Sequence, residues 1–212
     1  MTIYMIYFLI TTCLKESFNF DIRVSQYKRA ISKIIEIAEK IENTKIVIVE
    51  NNGERSTFLD DFGVPVIYTT NNSIDTKNIG IKEIKDIFHV IEKLKIEEDD
   101  FIVKITGRYI LEDDSYFIKE LRTIEEKGID CIIKYGWWMD FSEKKIDNCI
   151  TGIIGMRCKY IKLIEIPDET FHIEIKYAIV ANNIPENRVC IIPNSKKIGI
   201  HICPGSDEYM YI

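Results

Sequence analysis

Phe101-Ile102-Val103-Lys104-Ile105-Thr106-Gly107-Arg108-Tyr109 opens as a strand and turns cationic as it ends. A period of two sets Phe101, Val103 and Ile105 on one face, and Lys104, Thr106 and Arg108 toward the other if the extended form continues. A lysine in such an apolar strand is costly to bury unless an opposite charge meets it. Two cations converging at a strand end therefore point to an anion there, most economically a phosphate. Gly107 suits that reading, because without a Cβ the backbone can turn sharply and let a ligand approach. Pairing of Lys104 and Arg108 with acidic neighbours such as Glu112 and Asp113 accounts for the same residues.

On the N-terminal side, residues 2–10, 45–50 and 65–69 read as short buried strands rich in Ile, Val and Tyr. Between the first two, Val24, Tyr27, Ile31, Ile34, Ile35, Ala38 and Ile41 recur every three or four residues, an amphipathic helix over about 23–42 with Asp21 as its cap. A second such helix spans about 79–95. On the C-terminal side, Asp113 or Asp114 is expected to cap a helix that runs to about 127, where Gly128 stops it. Strands follow at 129–134, 149–156, 188–192 and 197–202, with helical stretches at 159–164 and 169–181. Strands alternating with helices predict a three-layer α/β/α fold with a mostly parallel central sheet, in one domain over residues 1–212. Sites on such sheets lie at the C-terminal strand ends.

The 212 residues are 46% hydrophobic and 29% charged, enough to bury a substantial core. The net charge of −6, with no run of Lys and Arg, argues against a nucleic-acid polymer as partner. The apolar start is too short to span a bilayer and lacks a basic leader, so no membrane span is expected. The six cysteines show no C-x-x-C spacing and several sit in apolar runs, which fits reduced core thiols and a cytoplasmic setting. G-x-G-x-x-G, G-x-x-x-x-G-K-[ST] and a serine nucleophile elbow are all absent. What remains is a set of polar residues at expected strand ends: Thr11 and Thr12, Glu50 and Asn51, Asn71 and Asn72, and Thr106 to Tyr109. Together they are what a nucleotide site spread over several strand ends needs.

The order of elements, with Asn78-x-Gly80-x-x-Glu83 opening a helix and Lys104-Ile105-Thr106-Gly107-Arg108-Tyr109 following, resembles small GT-A-type glycosyltransferases. These are the glycosyltransferase-like proteins of large DNA viruses and bacterial surface-polysaccharide loci that carry K-x-T-G-R-Y. The likeness covers most of residues 2–135 and is specific at 104–109. It implies a nucleotide-diphospho-sugar transferase-like (GT-A) fold, with residues 1–110 binding the nucleotide sugar and 111–212 the acceptor. It also implies a UDP-linked sugar donor held by Thr11, Thr12, Glu50, Asn78, Lys104, Thr106, Gly107, Arg108 and Tyr109, and a glycan or glycoprotein as acceptor. Members of the family hold Mn²⁺ or Mg²⁺ with an Asp-x-Asp motif, but here Thr106-Gly107-Arg108 stands in that place. Lys104 and Arg108 are therefore expected to stabilise the leaving diphosphate themselves, as is understood of metal-independent relatives such as core-2-type N-acetylglucosaminyltransferases. No metal ligand is assigned and no cofactor is expected to be required, with Mn²⁺ or Mg²⁺ left open.

In the second half, residues 148–156 look like the strand that carries the acceptor side, Gly152 allowing close approach. Glu169 and Glu174 open the last helix much as the acidic motif of inverting members does. Glu174, with Glu169 in reserve, is the expected base for the acceptor hydroxyl, although either carboxylate also simply suits a helix N-terminus. His201 resembles the late histidine that some retaining members use on the metal; without an acidic pair it is read as a hydrogen-bond donor to the diphosphate or as a plain strand residue. Trp137 and Trp138, with Asp140, are assigned to an acceptor platform, and core packing under a loop accounts for the two tryptophans as well. A sugar-phosphate nucleotidyltransferase, or a non-catalytic nucleotide-sugar-binding module on the same fold, stays open beside the transferase.

Overall fold

In a computed structural model of the chain, residues 4–15, 20–137, 140–203 and 209–212 are described. Strand β1 (Ile6–Thr12) is buried at every position, because it lies mid-sheet with helices over both faces. Helix α1 (Phe20–Ala38) follows, and β2 (Thr44–Glu50) pairs in parallel with β1 from Ile6↔Thr44 to Thr12↔Glu50. Strand β3 (Val66–Tyr68) extends the sheet, and α2 (Ile79–Leu94) returns to β4 (Phe101–Thr106), parallel to β1 on its other side. After β5 (Ile110–Leu111) and α3 (Tyr116–Leu121) come β6 (Cys131–Ile133), the hairpin of β7 (Tyr135–Trp137) with β8 (Asp140–Ser142), and β9 (Ile153–Arg157). The chain continues with α4 (Cys158–Ile161), α5 (Ile173–Asn182), β10 (Val189–Ile191), β11 (Ile200–Ile202) and β12 (Met210–Tyr211).

Seven strands form the central sheet in the order β10-β6-β9-β4-β1-β2-β3. All its neighbours are parallel except β9, which runs antiparallel to both β4 and β6. On one face Phe8, Ile10, Val103 and Ile105 pack with Tyr27, Ile31 and Ile34 of α1 and Phe117 of α3. On the other, Leu9, Val49 and Ile102 pack with Ile84 and Ile87 of α2 and Tyr177 of α5. Each such isoleucine removed from water contributes about 1.5–3 kcal/mol. The result is the expected three-layer arrangement. A smaller antiparallel sheet, β12-β11-β5, sits beside it. Among the described residues no helix is long and apolar enough to cross a membrane.

Several local expectations need correction. Asp21 lies inside the first turn of α1 and is not its cap. Helix α3 is capped by Ser115, whose Oγ accepts from the Ile118 N–H, while Asp113 pairs with Lys33 of α1 and with Lys40 in the turn after it. Ser115 wins because its short hydroxyl, sealed in the core, reaches the N3 amide. The strand expected over 149–156 is ordered as β9 only from Ile153, since Thr106 N–H bonds Gly152 O and the chain before it bends away through a bridge between Tyr135 and Cys149. Gly155 is required where β9 crosses β4, as a Cβ there would fall 2.6 Å from the Phe101 ring.

Candidate functional site

The C-terminal ends of β1 and β4 meet at Gly107. Its N–H donates to Thr11 O at 2.9 Å, and a Cβ on it would lie 3.0 Å from Thr12 Cγ2 and 3.2 Å from Thr11 O. The backbone turns there, with Tyr109 N–H bonded to Thr106 O. That turn ends the strand alternation, so Lys104 and Arg108 find partners on opposite layers. Lys104 Nζ reaches Glu83 of α2 at 2.8 Å, Thr151 O at 2.6 Å and Thr106 Oγ1 at 3.3 Å. Arg108 Nη1 reaches Gln26 Oε1 of α1 at 3.3 Å and Cys203 Sγ at 3.7 Å. Neither cation takes Glu112 or Asp113 as its partner; Glu112 bonds His201 instead.

Both cations nevertheless line one cavity of about 270 Å³, together with Thr106, Tyr109, Gly152 and Glu174. Glu174 enters from the first turn of α5 and its Oε1 accepts from Thr151 Oγ1 at 3.1 Å. Thr151 thus links the two charges, its carbonyl on Lys104 and its hydroxyl on Glu174. The Tyr109 ring packs on Gly152, whose absent Cβ would fall 2.9 Å from it. Burial pushes the Tyr109 hydroxyl up to about 12, eased by the nearby Arg108 charge, so it serves the cavity as a neutral phenol. Trp137 also lines this cavity, half exposed, its ring 5.7 Å edge-on from His172.

Other expected site residues stand elsewhere. Glu50 is fully buried, accepting from Thr12 Oγ1 at 2.7 Å, Leu14 N at 3.0 Å, Asn52 Nδ2 at 2.6 Å and Arg55 Nη2 at 3.2 Å. It ties the ends of β1 and β2 together beneath the surface. Thr11 Oγ1 donates to Glu83 Oε1 at 2.8 Å. Asn78 caps α2 through the Gly80 N–H and donates to the carbonyls of Asp168 and Phe171, both at 2.8 Å. His201 is not brought to the cavity: it bonds Glu112 at 2.6 Å and stacks on Tyr211, while the next residue, Ile202, lines the wall. Glu169 lines a neighbouring cavity. Asp140 is exposed opposite Trp137 in the hairpin, and Trp138 lies outside the described residues.

Three residues of the site carry no role in the sequence pattern, Glu83 standing there only as the last residue of Asn78-x-Gly80-x-x-Glu83. Glu83 is the partner of Lys104, and its signal was present: it precedes Ile87 and Ile91 by four and eight residues, a carboxylate on the buried face of α2. Thr151 joins Lys104 to Glu174. Tyr177 is wholly buried with an unpartnered hydroxyl; burial pushes it well above its usual range, with the charges of Glu83 and Glu174 adding to the rise. No sequence pattern marks either of these two. Among the described residues no group of three or more His, Cys, Asp or Glu side chains could hold a metal ion. Cations stand where oxygen ligands would have to converge, so the described residues of the cavity do not fit a divalent ion held by protein side chains.

No family model matches the sequence, and no curated protein matches it. The fold, in contrast, matches solved structures over nine-tenths of the chain. One is a mannosyltransferase from Pyrobaculum calidifontis in complex with GDP-Man and Mn²⁺, 6% identical, TM-score 0.58, covering 89% of this chain and 54% of its own. The chain thus spans about half the length of that protein. A glycosyltransferase involved in glycosylating the major capsid of PBCV-1 is 13% identical, with TM-score 0.51 and coverage of 89% and 81%. A putative glucose-1-phosphate thymidylyltransferase from Bacillus anthracis is also 13% identical, with TM-score 0.54 and coverage of 90% and 86%. At these identities the likeness is one of fold, and the fold is that of nucleotide-diphospho-sugar transferases.

Proposed function

We propose that the protein is a glycosyltransferase that moves a sugar from a nucleoside-diphosphate donor, UDP-linked, to a hydroxyl of a glycan acceptor. The observation that carries this reading is the cavity at the C-terminal ends of β1 and β4, where Lys104 and Arg108 share a wall with Glu174. An acceptor oxygen bonds to the anomeric carbon as the bond from that carbon to the diphosphate breaks. The proton passes to the Glu174 carboxylate, and the negative charge growing on the diphosphate meets the field of Arg108 and Lys104. The pair thereby supplies the charge stabilisation that relatives obtain from a metal ion.

The test is release of UDP from UDP-glucose, UDP-galactose and UDP-N-acetylglucosamine, with methyl glycosides as acceptors, in excess chelator. Release that requires the acceptor, persists in chelator and falls about 10²–10⁴-fold in Glu174→Gln is the expected result. Arrest of the wild type by chelator would remove the metal-free mechanism. Pyrophosphate release from UTP and a hexose 1-phosphate would identify a nucleotidyltransferase instead, and nucleotide binding without turnover a non-catalytic module.

A further inference from the structure

A second cavity, of about 510 Å³, adjoins the first and shares Ile79, Glu83 and Glu174 with it. Its outer wall is the loop before α5, including Glu169, Thr170 and Phe171. Two large apolar side chains are left open to solvent on its rim: Ile79 is 78% exposed and Phe171 48%. Apolar groups exposed together at the mouth of a cavity mark a binding surface more often than chance packing. The loop that carries Phe171 is also held in place. Asp168 accepts from Thr170 N at 2.8 Å, Thr170 Oγ1 at 2.6 Å and Phe171 N at 3.1 Å. Asn78 Nδ2 clamps the same loop to α2 through the carbonyls of Asp168 and Phe171. Ordering of this kind lowers the entropy lost when a ligand is seated.

We infer that this second cavity is the subsite for the acceptor sugar, and that it takes a neutral hexopyranoside. The apolar face of such a ring packs on Phe171 and Ile79, and its hydroxyls meet Thr170 and Glu169. A hydroxyl directed inward then reaches Glu174 across the shared wall, opposite the cations. The inference rests on the proposed transfer reaction for the word acceptor, while the presence of a saccharide site is independent of it. Asn78 is in this view a positioning residue, setting the loop against the helix and not touching the donor.

The experiment is saturation-transfer NMR on the full chain with the methyl glycosides of glucose, galactose, mannose and N-acetylglucosamine, alongside calorimetric titration with UDP. Saturation of at least one glycoside by the wild type, with its affinity reduced about tenfold in Phe171→Ala and UDP affinity retained, is expected. Ile79→Ser probes the opposite rim. Both side chains are solvent-facing, and a thermal melt confirms that the variants are folded. Saturation of none of the four glycosides, unchanged glycoside affinity in Phe171→Ala, or an equal loss of UDP affinity would each overturn the inference. Glycoside binding lost in Phe171→Ala from a protein that binds no UDP would uphold the saccharide site and sink the proposed donor instead.

Discussion

Lys104 and Arg108 share a cavity but are not equivalent. An ammonium has three donors, and those of Lys104 already meet Glu83, Thr106 and the Thr151 carbonyl. Its side chain is 2% exposed, so it acts as a fixed charge beneath the cavity floor. Arg108 has five N–H donors, and among the described residues its side chain bonds neutral atoms of Gln26 and Cys203. It is therefore the cation with capacity to grip a diphosphate directly, in the two-pronged geometry that guanidinium favours. Arg108→Ala is expected to lower kcat roughly 10²–10³-fold, about 2.7–4 kcal/mol of barrier. Arg108→Lys should recover little of it, because a point charge cannot reproduce the fork. Steady-state kinetics of the proposed transfer check both, and full activity in Arg108→Lys would show that charge alone suffices.

Helix α2 is what makes a buried lysine tolerable in β4. Asn78 starts the helix beside the loop that precedes α5, and one turn later Glu83 projects between Thr11 of β1 and Lys104 of β4. The pair sits at the junction of three elements. Removing one partner leaves the other as an uncompensated buried charge, a loss of about 3–5 kcal/mol. Because the Glu83 side chain keeps 19% of its exposure, Glu83→Gln should fall at the lower end, near 3 kcal/mol. In a chain of this size each kcal/mol moves Tm by about 2–4 °C, so a drop of roughly 6–12 °C is expected in a thermal melt. Adding Lys104→Met to Glu83→Gln should regain part of it, since the double variant no longer buries an ammonium that has lost its counter-charge. A double variant no better than the single one would show that the lysine's field, and not its burial, sets the stability.

At the scale of the whole molecule, the sequence carried the layers but not their wiring. The runs of β1, β2 and β4 were legible because strands buried on both faces are continuously apolar, and α1 and α2 because their isoleucines keep helical spacing. The reversal of β9 was not legible: Ile153, Ile154 and Met156 read the same in either direction, and only pairing such as Lys104↔Ile154 reveals it. The same holds for the site. That Lys104 and Arg108 would line one cavity could be read from their strand end, whereas the 21-residue step to Glu83 and the link through Thr151 to Glu174 are products of packing. His201 stands apart from the cavity because β11 pairs with β5 and β12, which turns it toward Glu112. Since the cavity is walled by β4, the stretch before β9, α2 and α5 together, a donor bound there would couple elements from both ends of the chain. A ligand that binds only the folded state at a hundred times its Kd adds about 2.7 kcal/mol of stability, equivalent here to roughly 5–11 °C in Tm. UDP is expected to give a shift of that order, undiminished by chelator and lost in Arg108→Ala. A UDP-induced shift that appears only when Mn²⁺ is supplied would mean that the diphosphate brings its own metal to the cavity and that the cations play a subordinate part.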